Sequence, residues 1–105
     1  MGSPQDYFIP EIVRAELLFG AMVSAHPTKN IAAVENFLRP LQLLPFSGEA
    51  TFHYAEIRSY LQEMGQPIGP NDLFIAATVR PYSLVLVTRN RTEFSRVPGL
   101  VCEAW

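Results

Sequence analysis

The sequence predicts an α/β domain in which short apolar strands alternate with helices. Three observations carry this. Leu84–Val87 is a continuous apolar run, the pattern of a strand covered on both faces of a parallel sheet. Ala50, Tyr54, Ile57, Leu61 and Met64 recur at steps of four and three, the clearest amphipathic helix in the chain. Between these two stretches, Gly69-Pro70-Asn71-Asp72-Leu73-Phe74-Ile75-Ala76-Ala77 sets a carboxylate at the start of an apolar helix. Helix start and strand end are the two ends of one βα layer, on the side where open α/β sheets keep their sites.

Taken in order, Tyr7–Pro10 reads as a brief strand, and a helix runs from about Glu11 to Ser24, with Pro27 blocking extension. Asn30 is a good N-cap for a second helix, with Ile31, Val34, Phe37 and Leu38 at helical spacing and Pro40 ending it. Leu41–Phe46 looks like a strand. Ser47 caps the third helix, whose outer face carries His53, Glu56, Arg58, Gln62 and Glu63, and Gly65 closes it in a left-handed turn. The fourth helix, from Pro70, is apolar nearly all round and should be buried. After the strand at Leu84, Glu93-Phe94 forms a short helical turn and Leu100–Cys102 a last edge strand. The order is βα, α, βα, α, β, a short helix, β, without repeats.

At 105 residues, 49% apolar and 17% charged, the chain suits one small folded domain. Ten acidic against eight basic residues, a net charge of -2, argue against nucleic-acid binding by bulk electrostatics. A nuclease with an acidic centre and a basic rim stays compatible. Cys102 is the single cysteine, so no internal disulfide forms, which suits a reducing, cytoplasmic setting. No signal peptide is recognised and no apolar stretch is long enough to span a membrane. Residues 1–6 are expected as a disordered or cloning-derived tail, and residues 7–105 as the domain.

Candidate chemistry rests on a few acids. Glu16 shares a helical face with Ile12, Phe19 and Gly20, expected to be the inner one. A carboxylate there must be partly exposed, paired, or bound to a cation. Asp72 suits the positive end of its helix, or else points across the top of the sheet with Asn71 capping the helix or orienting it. Asn90 ends the best strand as a turn former, or with Thr88 ligates or orients a metal-bound water. Glu93 caps the short helix or reaches the same space. Two or three acids with amide and hydroxyl support suffice for Mg²⁺. Arg89, Arg91 and Arg96 are a solvated surface, or a grip for phosphates. His26 and His53 read as surface or satisfied residues, and Cys102 as core.

With these residues placed, the chain resembles the PIN-domain ribonucleases, specifically the VapC toxins of bacterial toxin–antitoxin pairs. The resemblance is carried by Ala15-Glu16-Leu17 with Gly20, by Pro67 to Ala77, by Leu86-Val87-Thr88-Arg89-Asn90, by Glu93-Phe94, by Val97-Pro98-Gly99-Leu100 and by Trp105. It implies a PIN-like three-layer fold, a mainly parallel sheet between helices, and Mg²⁺- or Mn²⁺-dependent hydrolysis of RNA phosphodiesters. It implies Glu16 and Asp72 as metal ligands, with Asn90 and Glu93 in the acidic centre, Thr88 and Asn71 in support and Arg89, Arg91 and Arg96 toward RNA. Its partners would be a VapB-like antitoxin, RNA and a second copy.

Two departures from the family shape the expectations. Members open with a strand ending in Asp, followed by a helix, and nothing before Tyr7 supplies these. The first central strand is therefore expected to be missing, with weak or no RNA cleavage and self-association through swapped or shared strands. A catalytically inactive fragment that binds antitoxin or itself is the alternative. Second, Pro81 should break the fourth helix near Val79, and Ser83 stands where the family favours Gly.

Overall fold

The computed structural model describes residues 7–104, and the chain divides into two compact units, Met1–Pro45 and Phe46–Trp105.

In the first unit, strand β1 (Phe8–Pro10) runs directly into helix α1 (Glu11–Met22), followed by helix α2 (Pro27–Leu38) and strand β2 (Gln42–Leu44). β1 and β2 pair in parallel, Ile9 opposite Leu43. The start of α2 corrects the expectation that Asn30 caps it. Pro27 occupies the first helical position, where its missing N–H and fixed φ cost nothing. Asn30 lies inside the helix, and its Nδ2 donates to Ser24 Oγ at 2.8 Å, tying the helix to the preceding turn. A second correction concerns α1. Glu16, Phe19 and Gly20 are exposed, Phe19 to 67%, so their face is not the inner one. α1 packs on α2, and its better covered stripe is Arg14, Leu18 and Ala21, three residues at helical repeat.

In the second unit, Ser47 caps helix α3 (Gly48–Glu63), its Oγ accepting from Ala50 N at 3.4 Å. Gly65, at φ 68°, turns the chain out of the helix. Helix α4 (Pro70–Val79) packs against α3, and Ile57, Leu61, Ala76 and Ala77 form the core between them. Phe46, Tyr54 and Phe74 cluster beside it, the last two rings 4.8 Å apart. As expected from Pro81, α4 ends at Val79, and a 3₁₀ turn, Arg80–Tyr82, follows. Ser83 then takes φ 55°, a left-handed conformation that favours glycine.

Arg80 fastens this turn. Its side chain is only 9% exposed. Nε donates to His53 Nδ1 at 2.8 Å and Nη1 to the Pro98 carbonyl at 3.0 Å, and Nη2 meets the Glu56 carboxylate. Strand β3 (Val85–Thr88) then pairs in parallel with strand β4 (Val101–Ala104), Leu86 opposite Cys102, across the one-turn helix α5 (Arg91–Phe94).

The continuous apolar run of β3 misleads about its surroundings. Val85 and Val87 are about half exposed, at 49% and 50%, while Leu86 and Thr88 are partly covered. The strand is covered on one face, with the ordinary two-residue alternation. Both ladders are parallel, as expected of a mainly parallel α/β fold.

Candidate active site

The fold gathers four of the sequence-derived candidates, Asp72, Thr88, Asn90 and Glu93, at one place in the second unit. α4 opens at Gly69, with Pro70 as its first residue and Asp72 in the first turn. β3 ends at Thr88, and Asn90 stands at the head of α5. The Thr88 hydroxyl accepts from the Asn90 backbone N–H at 3.0 Å, which fixes the turn leaving the strand. From there the Asn90 amide spans two carboxylates. Its Nδ2 donates to Asp72 Oδ2 at 2.7 Å and to Glu93 Oε2 at 2.6 Å. Phe94, at the end of α5, is buried and anchors that turn in the core. Glu93 thus reaches the same space as Asp72, and Thr88 supports Asn90. Asn71 is not the capping residue: Gly69 holds the N-cap position and Asn71 lies exposed in the first turn.

Comparison with known proteins identifies the family. The PIN domain profile matches residues 2–100. The tRNA(fMet)-specific endonuclease VapC of Salmonella typhimurium is 40% identical over 97 residues, covering 92% of this chain and 74% of that protein. The DNA-bound VapBC complex of Salmonella typhimurium superposes with a TM-score of 0.90 at 40% identity, covering 93% of this chain and 74% of that one. The VapBC2 complex of Rickettsia felis, bound to a promoter DNA fragment, gives 0.87 at 40% identity, covering 91% and 72%. This chain belongs to the PIN-domain family. Within it the chain is of the VapC type, and its α/β fold is that of the family.

The electrostatics of this PIN domain follow from the bridge. The Glu93 carboxyl is held below its ordinary value, chiefly by a hydrogen bond with the Asp72 side chain. Bonds from Asn90 and the Gly69 backbone and the charge of Arg96 act in the same sense, while partial burial opposes them.

The three arginines divide. Arg89 and Arg91 are exposed and flank Asn90 in sequence. Arg96 is half-buried, and its Nη1 donates to the Pro67 carbonyl at 3.3 Å, so it fastens the linker before α4. Glu16 lies exposed on α1 in the first unit.

Asp72 and Glu93 offer hard oxygen ligands of the kind Mg²⁺ takes while keeping several of its waters. Among the described residues no three of the Asp, Glu, His and Cys side chains converge on one cation position. Also among them, no helix is long and apolar enough to cross a membrane. Sequence reasoning passed over two features of this unit. One is the Arg80 anchor, which joins residues far apart in the chain. The other is the pair Tyr54 and Arg58 on α3, whose spacing of four residues was a usable signal.

Proposed function

We propose that this chain is a VapC-type toxin that hydrolyses RNA phosphodiesters with Mg²⁺ or Mn²⁺ at the Asp72–Glu93 pair. The single observation that carries this reading is the Asn90 amide joined to both carboxylates. Asp72 and Glu93 would hold the cation. When bound, such a cation lowers the pKa of a coordinated water and clamps a phosphate. The chain's own residues do the positioning. Asn90 fixes the two carboxylates relative to each other and Thr88 fixes Asn90. Arg89 and Arg91 face solvent where they can take RNA phosphates.

The partner is a VapB-like antitoxin, supported by the solved complexes of similar proteins. Phe19, Met22, Val23 and Phe37 are each more than half exposed on the α1–α2 hairpin and offer such a partner apolar surface. Self-association through the open edges of the two-stranded ladders, and a cytoplasmic location, belong to the same reading.

Initiator tRNA is the first substrate to test, because a relative at 40% identity is named for it. The purified chain is expected to cleave it slowly with Mg²⁺, not at all with chelator, and not at all after Asp72→Asn. Equal cleavage by the Asp72→Asn protein refutes the assignment.

A second reading, a non-catalytic protein that binds antitoxin or itself, is favoured by the lack of a three-ligand cluster among the described residues. It predicts no cleavage, with antitoxin binding unchanged by Asp72→Asn.

A further inference from the structure

The second unit holds a hollow of about 420 Å³ between α3 and the linker into α4. Tyr54, Arg58 and Gln62 line it from the helix, and Ile68, Pro70 and Leu73 from the other side. It opens outward into a shallower hollow along α3 that shares Tyr54, Arg58 and Gln62.

Its lining is selective in kind. The Arg58 guanidinium lies 5.9 Å from the Tyr54 ring centroid and donates from Nη1 to the Tyr54 hydroxyl at 3.0 Å. Tyr54 in turn rests against Phe74, at 4.8 Å between centroids. The result is a braced, planar, cationic surface at the mouth of an apolar recess, with the Gln62 amide beside it. Flat π-systems stack on aromatic and guanidinium planes, and an amide beside the stack can hydrogen-bond the edge of a base.

Its place relative to the acid pair follows from one short segment. Pro70 and Leu73 line the hollow, while Asp72 between them meets Asn90. Ile68 lines the hollow, while the next residue, Gly69, bonds Glu93 through its backbone. The linker is therefore a wall one residue thick, with carboxylates on one side and the recess on the other. An RNA strand with a phosphate at the acid pair would have this shared wall between that phosphate and the recess.

We propose that the Tyr54–Arg58 recess is a base-stacking subsite for an unpaired RNA nucleotide flanking the scissile phosphate. The inference rests on the ribonuclease reading above. Arg58 supplies the charge that RNA requires. Among the described residues, Glu63 on the outer hollow is the one acid lining the recess system. Stacking tolerates every base, so the subsite selects for single-strandedness rather than for sequence.

The test uses the full chain carrying Asp72→Asn, so that binding is read without cleavage. Fluorescence anisotropy measures its affinity for labelled initiator tRNA, intact or with one unpaired base at a time removed. One base-free position is expected to weaken binding roughly ten-fold. Arg58→Ala or Tyr54→Leu should weaken binding of the intact RNA by a similar factor, and add nothing on the RNA lacking that base. Tyr54→Phe, which keeps the ring, should retain most of the affinity and so separates stacking from a folding defect.

Losses that multiply independently, or no sensitive position at all, overturn the subsite. So does an antitoxin peptide that contacts Arg58 while RNA does not. The ribonuclease reading fails by a different result, cleavage that survives Asp72→Asn, so the two failures are distinguishable.

Discussion

Replacing Arg80 with methionine tests how the second unit is held together. The substitution keeps the aliphatic stem, which lies 3.6 Å from the position a side chain at Gly99 would take, and removes every donor. Three acceptors lose their partner: His53 Nδ1, the Pro98 carbonyl and the Glu56 carboxylate. The first two are hydrogen bonds from a cation whose side chain is only 9% exposed, and each contributes about 1–1.5 kcal/mol net. The Glu56 side chain is 54% exposed, so solvent screening holds that ion pair to about 0.5 kcal/mol. The sum is about 3 kcal/mol, which for a domain of this size lowers Tm by roughly 15 °C. Urea unfolding followed by circular dichroism measures it. Arg80→Lys should recover less than half, because a point charge replaces a planar fork. An Arg80→Met protein within about 0.5 kcal/mol of the original would refute the anchor.

Three further outcomes follow from named residues. Ser83→Gly should stabilise by up to about 1 kcal/mol in the same assay, because φ 55° strains any residue with a Cβ. Ser47→Ala should cost about 1 kcal/mol through loss of the α3 cap. Glu93 has a lowered folded pKa, so its contribution to stability is present above its unfolded value of about 4.5 and is lost as pH falls through the folded value. Glu93→Gln should therefore flatten the fall in Tm below about pH 4.5 and leave the neutral range little changed in slope.

Much of the fold was legible where a local rule had no rival. The α3 repeat, the Ser47 cap, the Gly65 turn and the break at Pro81 each depend on residues within a few positions. The failures share a cause. Asn30 is a better N-cap than His26 by type, but a proline at the first position of α2 decided the start. Phe19 made its face of α1 look internal, yet a side chain's exposure depends on what the rest of the chain brings to it. The apolar run at β3 suggested two covered faces, but hydrophobicity along a strand does not count the neighbours it finds. In the site, Asp72, Asn90 and Glu93 were legible together because a helix start and a strand end share one edge of a βα layer. The Arg96 tie to Pro67 and the Arg80 anchor were not, because each links residues remote in sequence that carry no pattern of their own.

The central claim is that the bridged Asp72–Glu93 pair is a divalent-cation centre serving RNA hydrolysis. Isothermal titration of the full chain with Mn²⁺ tests it most directly, with and without Asp72→Asn. The account predicts a saturable binding event in the original chain that Asp72→Asn abolishes. Identical titrations for the two proteins would contradict it.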